Sequence, residues 1–362
     1  MMLFSTLGLY LSRRFLKTIF FVFLALFVVI YIADFVELLR RGSDAPGVSS
    51  AFLAFLTLLR VPSIAEQILP FAVLGGTMIA FVALSRRLEL VVVRSAGVSV
   101  WQFLMPPTLI VLILGVLSVV LYNPLAADLK QRADGIETRI FGKTSQADAD
   151  TSLWIRQRSI DGQAIIRAER SSNGGQELGA VTAFVYDQDG RFLERVEAAN
   201  ATLLPGFWTM TDARISAPAE EPQVVGTYLL ATNLTPEQVT QSFVAPASVP
   251  FWDLADISAK TEAAGLDASG YRLQFQSLLA RPLLLVAMVF IAASFSLRFF
   301  RFGGVSRMVS GGVASGFVLY VATKLASDLG GAGVLSAPVA AWLPAVVGSM
   351  LGILVLLYQE DG

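Results

Sequence analysis

The sequence has no cysteine and no histidine. The first absence removes disulfides, thiol nucleophiles and thiolate metal ligands. The second removes the imidazole base of Ser-His-Asp triads and the nitrogen ligand of mixed zinc sites. A metal held by carboxylates alone stays open, though no ligand-like spacing for one stands out. A chain without cysteine can still carry a part outside the cytoplasm, provided that part needs no stapling. An excess of one charge is missing too: 27 Lys and Arg stand against 28 Asp and Glu. The basic surplus that marks nucleic-acid binding is therefore lacking, and no nucleic-acid partner is expected.

What the chain has in abundance is apolar length. Of its 362 residues, 55% are hydrophobic, with a mean hydropathy of +0.65, and the excess is gathered into six blocks. These run over Phe15–Leu39, Val61–Leu84, Trp101–Tyr122, Gln276–Leu297, Val305–Ser327 and Pro338–Tyr358. Each approaches or exceeds the ~20 residues that cross ~30 Å of hydrocarbon as a helix. The first block follows Arg13, Arg14 and Lys17, a start shared with signal peptides. Its length and the later blocks favour an uncleaved membrane helix. Pro70, Pro106, Pro107, Pro282 and Pro344 fall in or near the blocks, where neighbouring helices or water can satisfy the freed carbonyls.

Orientation follows from basic residues in the short connections. One side collects Arg13, Arg14, Lys17, Arg86, Arg87, Arg94, Arg298, Arg301 and Arg307. The other holds Arg40, Arg41 and Arg60, with none between Leu329 and Ala337. The bias predicts cytoplasmic N- and C-termini and places the long polar interval, Asn123 to Gly270, outside.

That interval has turn signals at Asp161-Gly162, Asn173-Gly174-Gly175, Asp189-Gly190 and Pro205-Gly206. Between them lie β-type runs over Leu153–Arg158, Gln163–Glu169, Ala180–Tyr186, Phe192–Leu203, Trp208–Ile215 and Val224–Leu230. Short strands at this spacing predict an antiparallel sandwich or jelly roll. Trp252–Ala264 has helical character and leads through Gly265 and Gly270 into the fourth block. The expected fold is an α+β membrane protein with three transmembrane helices on each side of an inserted β domain. Its divisions are 1–122, 123–250 for the β domain, and 251–362.

Few motifs carry chemistry. Gly142-Lys143-Thr144 resembles the end of a P-loop, but Glu137 stands where the loop needs glycine. No nucleotide site is evident, no catalytic constellation appears, and the chain is not expected to be an enzyme. Gly312 and Gly316, like Gly348 and Gly352, are four apart in apolar blocks, a spacing that lets helix backbones approach. Asn200-Ala-Thr202 and Asn233-Leu-Thr235 match glycosylation sequons that arise readily by chance. The segment Ser85–Ser99 is more specific, with Glu89 alone among Arg86, Arg87 and Arg94, and with Gly97 as a helix stop. It reads either as an interfacial helix held by snorkelling arginines or as a coupling helix that inserts into a partner. Asp34, Glu37, Arg40 and Arg41 gather at the outer end of the first block, as a solvated end or as groups facing a cavity. Lys324 and Asp328, four apart, suit pairing with each other.

Several stretches together resemble one family, the lipopolysaccharide export permeases LptF and LptG (YjgP/YjgQ), with the LptG side nearer. They are Arg13–Lys17 with Asp34-Phe35-Val36-Glu37, Leu88–Gly97, Ser277-Leu-Leu-Ala-Arg281-Pro282-Leu, Phe295–Arg298, Gly316–Tyr320 and Ala341-Trp342-Leu343-Pro344. The resemblance implies a bacterial inner-membrane permease with a periplasmic β-jellyroll. It implies pairing with a paralogous LptF, a dimer of the LptB ATPase, and hand-over of lipopolysaccharide to LptC and LptA. No cofactor is implied in this chain, with ATP and magnesium left to the ATPase. It implies ATPase coupling through Glu89, Leu90, Arg94 and Gly97, and lipid contact near Arg40 and Arg41 with Asp34 and Glu37. It also implies a lateral gate near Gly312 and Gly316. The alternative is a mechanotransmitting or adaptor ABC membrane subunit with no lipid path of its own.

Overall fold

The computed structural model describes residues 6–42, 48–141, 153–159, 162–172, 175–218, 220–235, 245–263, 267–300 and 305–361. Gly142-Lys143-Thr144, Asp161, Asn173-Gly174, Ala264, Gly265 and Arg301 lie outside them. The chain divides into two compact units. One comprises residues 1–136, 250–252 and 273–362; the other comprises 137–249 and 253–272.

The first unit is a helix bundle. Helix α1 (Thr6–Gly42) buries Gly8, Leu11, Ser12, Phe15 and Ile19, a stripe at three- and four-residue spacing, and then Leu38 and Gly42. Between these contacts Phe20, Leu24, Val28, Val29, Ile32 and Val36 are exposed. Helix α2 (Ser50–Arg86) starts where the Phe52 amide donates to Ser49 Oγ at 3.3 Å, and it is buried along most of its length. After the short α3 (Glu89–Ser95), α4 (Val100–Leu117) opens on a reciprocal cap: the Gln102 amide donates to Ser99 Oγ and the Ser99 amide to Gln102 Oε1, both at 3.2 Å.

Helix α4 does not stop at Tyr122. It passes through a π-helical segment, Ser118–Tyr122, into α5 (Asn123–Phe141). The expected β domain from residue 123 is thus corrected, because its first 19 residues are helical. Hydropathy marks where an apolar surface ends, whereas the helix persists on local pairs: Arg132 with Asp128 at 2.9 Å and Lys130 with Asp134 at 3.0 Å.

The second unit centres on one six-stranded sheet. Its strands are β1 (Leu153–Ser159), β2 (Gly162–Ser172), β3 (Glu177–Tyr186), β4 (Phe192–Leu204), β5 (Phe207–Ser216) and β6 (Gln223–Ala231). All neighbours are antiparallel and the order is consecutive, so the antiparallel β domain is an up-and-down meander. The row Ile155–Ile166–Ala183–Val196–Ile215 crosses five strands in register and lies in or against one apolar core. Gln157 on β1 is fully buried. It accepts from Trp208 Nε1 on β5 at 3.1 Å and donates to the Ala231 carbonyl on β6 at 3.2 Å. The sheet therefore curls until its first strand reaches its last, joined there by a side chain. Gly190 turns β3 into β4 with φ +81, as the Asp189-Gly190 signal predicts.

Helix α6 (Phe251–Ala263) leads to α7 (Ser269–Phe300), α8 (Val305–Gly331) and α9 (Ala337–Asp361). Among the described residues six helices are long and apolar enough to cross a membrane, three before the sheet and three after. The architecture is an α+β membrane protein.

Candidate functional sites on the helix bundle

The segment Ser85–Ser99 folds as a helix of only seven residues. Leu88 enters it at φ 59, and Gly97 leaves it at φ +81, the left-handed turn expected of a glycine stop. Leu90 is 5% exposed and packs with Leu11, Phe15, Leu84 and Phe103. Leu90, expected in the coupling contact, is thus covered by its own bundle and anchors α3. Leu88, Val91, Val92, Arg94 and Gly97 are exposed.

Glu89 is held by α1. Arg14 Nη1 donates to Glu89 Oε2 at 2.7 Å and to the Tyr10 hydroxyl at 2.5 Å, while that hydroxyl donates to Glu89 Oε2 at 2.9 Å. The Arg14 side chain is only 15% exposed, so this is an anchored contact between elements distant in sequence. Partial burial pushes the Glu89 carboxyl up. The bonds from Arg14 and Tyr10 and the charges of Arg14 and Arg87 outweigh it and hold the group below the usual 4.5. Beside the clamp lies a cavity of about 280 Å³ lined by Leu7, Leu11, Val92, Val93 and Phe103. Sequence reasoning missed Tyr10 and Arg14 as partners, although their four-residue spacing sets them on one helix face.

At the other end of α1, Glu37 accepts from Arg40 Nε at 3.1 Å, Arg40 Nη2 at 3.0 Å and Arg41 Nε at 2.8 Å. The Arg40 side chain is 77% exposed. Asp34 stands apart from this rim. Its side chain is 11% exposed, faces Arg60 of α2 at 3.5 Å, and leaves Oδ2 buried without a hydrogen bond. Asp34 is thus a contact between α1 and α2, and the expected four-residue cluster separates into a rim of three and one interhelical acid.

The glycines of α8 pack within the chain. A side-chain carbon on Gly312 would meet the thioether of Met78, and one on Gly316 would meet Leu74, both on α2. Lys324 pairs with Asp328 at 3.0 Å. Inside the bundle, Arg281 of α7 bonds Glu66 of α2, a pair that sequence reading passed over. The signal was available: an acid inside the second apolar block and a base inside the fourth each need a partner. Among the described residues no three acidic groups gather as metal ligands.

Comparison with known sequences finds relatives along nearly the whole chain. The model of the family described as "Lipopolysaccharide export system permease LptF/LptG" matches residues 9–358. The "Lipopolysaccharide export system permease protein LptG" of Escherichia coli strain K12 is 24% identical over 332 residues, covering 90% of this chain and 91% of that protein. The protein of the same description from Haemophilus influenzae strain Rd is 23% identical over 334 residues, covering 89% of each.

Proposed function

The chain belongs to the lipopolysaccharide export system permease family LptF/LptG, and from that premise we propose that it is the LptG-type half of an inner-membrane ABC permease. In this reading it takes lipopolysaccharide from the outer leaflet and passes it through LptC to LptA. The partners are a paralogous LptF and a dimer of the LptB ATPase, which supplies ATP and magnesium. Both termini lie in the cytoplasm and the β domain in the periplasm.

The observation that carries the reading is the state of α3: a short helix fixed from behind by Leu90 and Glu89, with Leu88, Val91 and Val92 left bare. An apolar edge on a rigid support suits insertion into a groove of a motor. Glu89 then serves as the bolt that passes the motor's push to α1, and Arg94 and Gly97 flank the contact.

Energetics explain the need for a motor. Removing acyl chains from a bilayer costs ~0.8 kcal/mol per methylene, and so on the order of tens of kcal/mol per lipid. The exposed apolar stretch of α1 and the outward residues of α8, Val313 and Phe317 among them, suit the wall of a cavity shared with the second permease. Arg40 and Arg41 would meet lipid phosphate at its rim by charge-assisted bonds. The test is affinity purification from membranes with identification of bound proteins and lipid. Recovery of an ATPase, a second permease and lipopolysaccharide is expected. Recovery of the ATPase without lipid would favour a mechanotransmitting subunit, and recovery of neither would overturn the permease reading.

A further inference from the structure

Among the described charged residues Glu66 is the most buried, at 7% exposure. Its carboxylate takes Arg281 of α7 on one oxygen. Asn123, itself 1% exposed, donates Nδ2 to both oxygens, at 3.0 and 3.2 Å. The other end of the Asn123 amide is also used: Oδ1 accepts the Phe251 amide at 2.9 Å. Asn123 therefore ties the start of α5, where the chain leaves the bundle, to the start of α6, where it returns.

Each helix meeting at this spot carries a break in its own hydrogen-bond ladder. Pro70 lies four residues after Glu66 and lacks the amide that would bond the Glu66 carbonyl. Pro282 follows Arg281 and does the same to the Leu278 carbonyl. The π segment Ser118–Tyr122 ends where Asn123 begins. Its wider turn re-aims the following residues, since one residue of an α-helix corresponds to about 100° of rotation. Near the break the backbones also touch: a side-chain carbon on Gly115 would lie 2.6 Å from Pro282 Cα. Prolines and π-bulges are where helices bend. Three of them around one buried ion pair make a joint whose bending is opposed by polar contacts.

We propose that Glu66, Arg281 and Asn123 form a latch across a hinge shared by α2, α7 and the α4–α5 helix. In the closed setting each charge satisfies the other and Asn123 satisfies both Glu66 and Phe251. In the open setting the charges separate and must find water, because an isolated charge in a low-dielectric interior is costly. The bundle thus has two discrete settings.

The chain's lack of cysteine lets spin labels be placed without background. Labels at Leu58 on α2 and Leu125 on α5, both exposed, read the separation across the latch in the full chain in lipid nanodiscs. The expected result is a major short distance and a minor long one. In Asn123→Ala the long fraction should rise at least tenfold relative to the short. In the double variant Glu66→Met with Arg281→Met the contacts that hold the closed setting are gone, and the long fraction should rise likewise. A long fraction unchanged in Asn123→Ala or in the double variant overturns the latch. The apolar double variant leaves no unpaired charge and is decisive by itself should Asn123→Ala not fold. The measurement needs neither partner nor transport, so it can fail while the permease reading stands.

Discussion

The two ends of α1 carry the same kind of chemistry in different settings. At the end nearer its N-terminus, the inner one in the proposed reading, Arg14 is nearly covered and holds Glu89, a carboxylate 75 positions away on another helix. At the outer end, Arg40 and Arg41 hold Glu37 on the preceding turn of their own helix and remain open to their surroundings. A pair that joins distant elements and loses water fixes geometry. A pair between neighbours on an exposed turn contributes little to stability and is easily exchanged for another anion. In the proposed reading the contrast suits the inner end to force transmission and the outer end to ligand contact.

The strongest way to break this contrast is to reverse Arg14. Arg14→Glu sets two carboxylates against each other at the base of α3, and ATPase co-purification is expected to fall at least tenfold. Exchanging the charges, Arg14→Glu with Glu89→Arg, should restore most of it, since the attraction depends on the pair and not on which helix bears which sign. Loss in the single variant with no recovery in the exchange would show instead that Glu89 itself touches the motor.

Much of this molecule is legible in sequence, and the part that is not has a common cause. The six apolar blocks and six strands follow from composition and period, because burial in lipid or in a sheet core imposes a local pattern. Gly97 and Gly190 are equally legible, because a left-handed turn selects glycine locally. The partners of Glu89, Asp34 and Glu66 are set by packing between helices far apart in sequence. Sequence shows that each charge in or beside an apolar block needs an opposite one, without naming it. The setting of Leu90 is hidden for the same reason: a leucine on a two-turn helix reads alike whether it faces its own bundle or a partner. Helix α5 is hidden because polarity marks the end of an apolar surface and not the end of a helix.

A gentler test of the inner end uses pH. The Glu89 carboxyl sits below its ordinary value in the folded chain. Its contribution is therefore complete above the ordinary value of 4.5 and is lost as the pH falls through the lowered one. Exchange protection of the α3 amides, corrected for intrinsic rates, should stay flat from about pH 8 to about pH 5 and drop only below 4.5. Glu89→Gln, which keeps the shape and removes the charge, should show the unprotected behaviour at every pH. Protection that changes near neutrality would mean that another group governs α3.

The outer end calls for the smallest change in the fold and a change of opposite sign in binding. Replacing Arg40 and Arg41 together with Gln should leave thermal stability within error, because both pairs are local and exposed. Photo-crosslinking to lipopolysaccharide should fall several-fold, with most of its salt sensitivity lost. Glu37→Gln supplies the sharper half of the comparison. In the proposed reading Glu37 competes with phosphate for the same two guanidinium groups, so removing its charge should raise crosslinking above the parent chain. If Glu37→Gln lowers crosslinking as the arginine changes do, the three residues act as one fixed structural unit. The outer end of α1 would then resemble the inner one, and the distinction between clamp and rim would fail.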